Sequence, residues 1–200
     1  MLGCLQLADA PDPNRILDFG AGAGRVTRWI RAAFPQAEID VCDLRAPDME
    51  FCAREFRANS WVSCTDFESV SAPGDYDLVW LGSVATHLPE EKVISLIDKT
   101  VSWCKHGALI LITFHGRQAL AVHSAGFRYI ATEQWSDIVD EYRAHGFGYA
   151  DYPGESGYGI SLAATSWVAN VIEKRLDVRL LTLAERVWDN HHDVLALQTN

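Results

Sequence analysis

Gly20, Gly22 and Gly24 stand at alternate positions in the stretch RILDFGAGAGR, residues 15–25. Three glycines in one turn strip it of side chains and let bare backbone approach a ligand. Asp18 precedes them on the same strand. A carboxylate there repels a pyrophosphate and suits a ligand with a positive amine. Asp43 closes the next apolar stretch, where an acid can accept hydrogen bonds from both hydroxyls of a ribose; Asp40 lies nearby as its rival. His87, His115 and His192 are the side chains best matched to moving a proton near neutral pH. The loop and its acids predict a nucleotide-like small molecule as ligand.

These groups need elements to hold them. Ile16, Leu17 and Phe19 read as a buried strand, and Val26, Trp29, Ile30, Ala33 and Phe34 recur at helical spacing. The glycine loop therefore joins a strand to a helix N-terminus, a favourable seat for an anionic or polar group. A second strand is expected over 37–43, a helix over 47–58, a third strand over 60–65 and a fourth over 75–81. Pro89-Glu90-Glu91 suits the first turn of a helix. Val93, Leu96, Ile97, Val101 and Cys104 give that helix one apolar face. Lys105 and His106 would sit at its negative end, with Gly107 as a left-handed cap. Residues 108–114 are apolar almost throughout, as in a strand covered on both faces.

Beyond 116 the pattern changes. A helix is expected over 133–145, then a glycine-rich loop over 146–159, a helix capped by Ser166, and late strands over 178–183 and 193–198. Trp29, Trp103, Trp135 and Trp167 fall on apolar helix faces and are read as core. The alternating order predicts an α/β fold with a doubly wound, mostly parallel sheet and helices on both faces. In such sheets ligands lie outside the carboxyl ends of the strands. Gly20–Gly24, Asp43, Asp66, Gly82–His87 and His115 all fall there.

The 200 residues fit a single domain over 1–200. A formal net charge of −10 argues against a phosphate-backbone binder, so no nucleic-acid partner is expected. No apolar run is long enough for a membrane span, and the N-terminus lacks the basic leader of a signal peptide. The five cysteines are scattered without the paired spacing of a zinc site, so no metal is expected and a reducing cytoplasm is. Composition leaves the oligomeric state open.

Several of these residues in order resemble the class I S-adenosylmethionine (SAM)-dependent methyltransferases. The matching series is Leu17–Gly24, Asp43, Asp66-Phe67, Tyr76–Trp80 leading to His87-Leu88, and Gly107–Thr113. The resemblance implies a Rossmann-like, seven-stranded sheet whose last strand enters antiparallel, with Val194–Leu197 in that strand. It implies SAM as cofactor. Gly20, Ala21 and Gly22 would approach its methionine part, with the amine near Asp18. Asp43, with Leu44 beside it, would hold the ribose. Asp66 would meet the adenine amino group and the Phe67 amide a ring nitrogen, although Cys64-Thr65 stands where the family has Gly-Asp before that position. Leu81 and Gly82 would close the methionine side. Many relatives carry an N-terminal helix over the cofactor; here some 14 residues precede the first strand, so a partner subunit or residues 117–176 would close that side if it is closed.

Thr113–Gly116, Gly157–Ile160 and His192–Val194 also resemble a bacterial subgroup found beside glycosyltransferases. The implied reaction is methyl transfer to a small-molecule acceptor, at an oxygen of a sugar or glycoconjugate. His87, His115 and His192 are the candidate bases. Residues 117–176 would form the insertion or lid that selects the acceptor, with Tyr152 and Tyr158 lining its pocket. Two other classes stay open. One is an NAD-dependent oxidoreductase, against which Arg25 stands in the third-glycine slot of the dinucleotide fingerprint. The other is a catalytically silent SAM-binding module.

Overall fold

The structure is a computed structural model that describes residues 1–64, 66 and 69–200. Helices α1 (Leu2–Ala8), α2 (Thr27–Ala33), α3 (Ala46–Phe56), α4 (Glu90–Trp103), α5 (Arg117–Ser124), α6 (Thr132–His145) and α7 (Thr165–Glu173) surround the strands. The strands are β1 (Arg15–Phe19), β2 (Glu38–Asp43), β3 (Asn59–Val62), β4 (Tyr76–Leu81), β5 (Cys104–His115), β6 (Phe147–Asp151), β7 (Gly159–Ala163), β8 (Val178–Trp188) and β9 (His192–Thr199). Seven of them form one sheet in the order β3-β2-β1-β4-β5-β9-β8. The first five pair in parallel, and β9 runs antiparallel to both β5 and β8. The doubly wound sheet with an antiparallel last strand is thus the observed architecture.

Strand periodicity explains why both faces are dry. On β4, Val79 and Leu81 join one core while Leu78 and Trp80 join the other. On β5, Ile110 and Ile112 alternate with Leu109 and Leu111 in the same way. Val93, Leu96 and Ile97 of α4 cover the first face; Leu5 of α1, Ile30 of α2 and Met49 of α3 cover the second. Successive side chains on a strand point to opposite faces, so an unbroken apolar run is what a doubly covered strand requires. The order reverses between β1 and β4, and a crevice opens there at the strands' carboxyl ends.

Several expectations are corrected. The stretch 146–159 is not one loop: it contains β6, and β7 begins at its end, pairing antiparallel with β6 as a separate sheet. Gly148 packs so tightly that an added Cβ would lie 2.0 Å from the Ile138 carbonyl oxygen. Its lack of a side chain marks close strand–helix packing rather than a turn. Gly107 does take a positive φ of 80°, but inside β5, where the register with β4 shifts, because β5 starts directly after α4. Lys105 lies in that strand and pairs with Asp77 at 2.8 Å. The N-cap before α7 is Ala164 rather than Ser166, with no side-chain cap. Trp29 is 65% exposed, with the Arg28 guanidinium over its ring, so it belongs to the surface; Trp103, Trp135 and Trp167 are buried as expected. Helices α1 and α5, too short to show a clear apolar repeat, were not anticipated.

A small third core of Ala119, Ile130, Trp135, Ile138, Ile160 and Leu162 binds α5, α6 and β7 to one another. It lies in the segment following β5, at the end of the sheet where the crevice opens.

The glycine loop is held from behind. Gly24 has φ 76°, and a Cβ there would come within 2.3 Å of the Phe56 ring and 2.9 Å of Cys52 Sγ. A left-handed alanine costs about 1–2 kcal/mol and the overpacking about 1–3 more. Gly24→Ala is therefore expected to lower Tm by roughly 5–15 °C. A thermal scan within 2 °C of the parent would mean that α3 does not brace the loop.

Candidate active site

The main cleft encloses about 340 Å³ and is lined by the β1–α2 loop, the ends of β2 and β4, and residues 63–64. Gly20 and Ala21 both donate their backbone N–H to the Cys42 carbonyl, at 2.9 and 3.1 Å, which folds the loop over β2. Gly22 N donates to Asp43 Oδ2 at 2.8 Å, and Arg45 N donates to Oδ1 at 3.3 Å. The acid at the strand end is thereby fixed by two amides, and each oxygen keeps a lone pair for a ligand hydroxyl. Gly20, Ala21, Gly22, Asp43, Leu44 and Gly82 all line this cleft.

Asp40, the rival acid, does something else. It is buried and accepts from Arg15 Nη2 (3.0 Å), Tyr76 Oη (2.7 Å) and Asn59 Nδ2 (2.7 Å). Those bonds satisfy its charge within the sheet and leave Asp43 as the acid at the cleft.

Three expected positions fall elsewhere. Asp18 does not line the main cleft: it is buried beneath the loop, accepts from Thr27 Oγ1 at 2.6 Å, and borders a 40 Å³ cavity shared with Arg25 and Trp188. Burial pushes its carboxyl up to about 6, with the nearby Asp43 charge adding to the rise. Leu81 is fully buried in the core, because its strand position points away from the crevice. Asp66 is exposed and does not line the cleft; its backbone carbonyl accepts from Ser69 Oγ at 2.8 Å. Ser63 and Cys64 line the cleft in that region. Phe67 lies outside the described residues.

His87 ends a short 3-10 turn, Ala85–His87, that follows β4. Its Nδ1 lies 2.8 Å from the Gly159 carbonyl and 3.2 Å from Tyr152 Oη. A carbonyl can only accept, so Nδ1 carries the proton and donates to Gly159. That leaves Nε2 as the nitrogen with a lone pair. Burial lowers the His87 pKa below its usual value, and the Gly159 bond offsets part of the fall. Tyr158, on the glycine-rich connection before β7, packs against the His87 ring at 5.2 Å and also lines the main cleft.

A second cavity of about 310 Å³ adjoins the first, with Arg25, Ser83 and His87 lining both. His115 and His192 line it from facing positions on β5 and β9, their rings stacked at 4.7 Å. His191 lies with them, a residue that only its adjacency to His192 at a strand start marks in the sequence. Burial, then the neighbouring imidazoles, holds His115 well below the usual histidine range. The same causes bring His192 down to about 3. Phe127, Tyr129 and Tyr152 supply an aromatic wall.

Arg25 spans the two cavities. Its Nη1 lies 3.1 Å from Asp189 Oδ2, and its guanidinium stands 5.0 Å from the Trp188 ring centroid. The residue that broke the dinucleotide fingerprint thus ties the glycine loop to the β8–β9 turn. Asp189 and Asn190 both take positive φ in that turn, which asparagine and aspartate tolerate better than other non-glycine residues.

Residues 17–110 match a family model described as a methyltransferase domain. The chain is 28% identical over 141 residues to malonyl-[acyl-carrier protein] O-methyltransferase of Halorhodospira halophila, covering 68% of this chain and 43% of that one. It is 30% identical over 142 residues to the enzyme of the same name from Halalkalibacterium halodurans, covering 68% and 51%. The chain therefore spans about half the length of the curated relatives it matches. Among solved structures, it is similar in fold to the plantazolicin methyltransferase BpumL, crystallised with a triazolic desmethylPZN analog and SAH. That likeness has a TM-score of 0.66 at 16% identity and covers 99% of this chain and 81% of the other. No helix among the described residues is long and apolar enough to cross a membrane.

Proposed function

Starting from a chain with the class I methyltransferase fold and a methyltransferase-domain match over residues 17–110, we propose that it transfers a methyl group from SAM to a small-molecule acceptor. The observation that carries this reading is the cleft between β1, β2 and β4, where the glycine loop and the doubly anchored Asp43 converge. Its volume suits a cofactor of nucleoside size. SAM supplies an activated methyl on a sulfonium, so the protein's work is alignment and proton removal. Asp43 accepts the ribose hydroxyls. Leu44 lies against the base, and Gly20, Ala21, Gly22 and Gly82 leave room for the methionine part. Asp18 acts from beneath the loop, as a buried acid that favours a cationic amine above it.

The acceptor occupies the adjoining cavity, whose aromatic wall and histidines suit a polyhydroxylated ligand such as a sugar or glycoconjugate. Aromatic faces cover its C–H surfaces and imidazoles meet its hydroxyls. His87, bordering both cavities, takes the acceptor proton on Nε2 while Gly159 fixes the ring. His115 and His192 face the acceptor from the far wall. Residues 117–176, with their own small core, provide the acceptor-selecting wall. The O-methyltransferase names of the two curated relatives support an oxygen as the atom methylated.

The test is direct. Calorimetry with S-adenosylhomocysteine should give one site of micromolar or tighter affinity, with no heat from NADH. Methyl-labelled SAM incubated with pooled sugar and glycolipid acceptors should then transfer label. Binding of NADH without S-adenosylhomocysteine would replace this reading with the oxidoreductase one. Binding without transfer to any acceptor pool would favour the silent module.

A further inference from the structure

The far wall of the acceptor cavity holds three imidazoles that the methyl-transfer reading does not need as a set. His115, His191 and His192 each offer a ring nitrogen, and these lie within 4.8 Å of one another. One of the three has the environment of an oriented ligand. His191 Nδ1 is 2.7 Å from the Asp189 carbonyl, which fixes its proton there and leaves Nε2 bare. His115 is held opposite His192 by the β5–β9 ladder. A ligating histidine typically gives its second ring nitrogen to a backbone carbonyl or carboxylate.

The third is the anomaly. His192 is 3% exposed, and neither of its ring nitrogens has a hydrogen-bond partner among the described residues. An unsatisfied buried donor or acceptor costs about 1–3 kcal/mol, and a buried polar side chain ordinarily has a partner. A group bound in the cavity would supply one. A cluster of three imidazoles suits a Lewis acid.

We propose that His115, His191 and His192 form a site for a divalent transition metal of the zinc class, with its fourth position open to the acceptor cavity. Three imidazoles with one free position is a known catalytic zinc arrangement. Carboxylate-rich sites favour magnesium and calcium, whereas imidazole favours zinc, nickel and copper. Tetrahedral coordination at about 2.0–2.1 Å brings ligand nitrogens to about 3.3 Å apart, so the rings close by side-chain rotation. His115 and His192 are register partners on adjacent strands, which supplies a rigid base. His191, on the turn, supplies the closing ligand. The open position would share its cavity with Tyr129, whose buried hydroxyl also lacks a partner among the described residues. It would take an oxygen donor of the acceptor; that use of the metal rests on the proposed function, while the site itself does not.

Untagged protein, stripped with a chelator and returned to metal-free buffer, should bind one equivalent of Zn²⁺ by calorimetry. Co²⁺ should give the intense visible bands of four-coordinate geometry. His191→Ala and His192→Ala should each weaken Zn²⁺ by more than about 100-fold, beyond the 10–100-fold loss typical of an outer-shell partner. Affinity for S-adenosylhomocysteine, measured on the same samples, reports folding and the cofactor cleft separately. Failure there would strike the methyltransferase reading and leave the metal result standing. The metal site is overturned if no saturable Zn²⁺ binding occurs, or if both histidine variants bind as the parent does. The stacked imidazoles would then be a packing device alone.

Discussion

His87→Gln is expected to lower kcat by about 10²–10⁴-fold while leaving S-adenosylhomocysteine affinity within about three-fold, the range that general-base removal typically costs. The reasoning is positional. Nδ1 is committed to the Gly159 carbonyl, so Nε2 is the nitrogen left for proton transfer. The residue borders both cavities, where an acceptor hydroxyl and a methyl donor would meet. Glutamine keeps a donor for Gly159 and fills similar space, which separates loss of the base from loss of the turn. The pH profile gives a second readout. Burial lowers the His87 pKa, so the neutral, active form persists to more acidic pH than for a free histidine. The rate should rise with pH through a midpoint below 6.5 and then level. A profile unchanged in the variant would remove His87 from the chemistry.

Asp43→Ala carries the second large effect, on binding rather than turnover. Hydrogen bonds to a charged group are worth about 1.5–3 kcal/mol each, and the alanine also releases the Gly22 amide that shapes the loop. S-adenosylhomocysteine affinity should fall by roughly 100-fold or more. Asp43→Asn, which keeps an acceptor for Gly22, should lose less. Asp40→Asn serves as the contrast: it strips charge from the Arg15, Tyr76 and Asn59 network. It should destabilise the fold while leaving affinity near the parent value. Equal loss of affinity in both variants would mean that Asp43 supports the strand and not the ligand.

The parts of the fold that were legible in the sequence are those governed by local periodicity. Leu78–Leu81 and Leu109–Ile112 announce a doubly covered sheet because burial on two faces requires an unbroken apolar run. Gly20, Gly22 and Asp43 reach the cleft because a strand end and its following loop are contiguous in sequence. What failed depended on direction or distance. Leu81 differs from Gly82 by one residue, and that step turns a side chain from crevice to core. Gly148 looked like a loop glycine because the helix that crowds it is a tertiary neighbour. His191 could be placed beside His115 only once β9 was known to pair with β5. Asp66 fell away because residues 63–64, not it, line the cleft in that region.

Arg25 has one more consequence, and it concerns the order of events. Its guanidinium belongs to the loop that lines the proposed cofactor cleft and is paired with the turn that lines the proposed acceptor cavity. Two occupancies that pull on one side chain are thermodynamically linked. Whatever factor the first ligand imposes on the affinity of the second, the second imposes on the first. The pair is solvent-exposed on both sides, and exposed ion pairs are worth at most about 1 kcal/mol. The linkage through this contact is therefore capped at roughly five-fold. Through this contact, donor and acceptor would enter as nearly independent guests, neither required by it to precede the other.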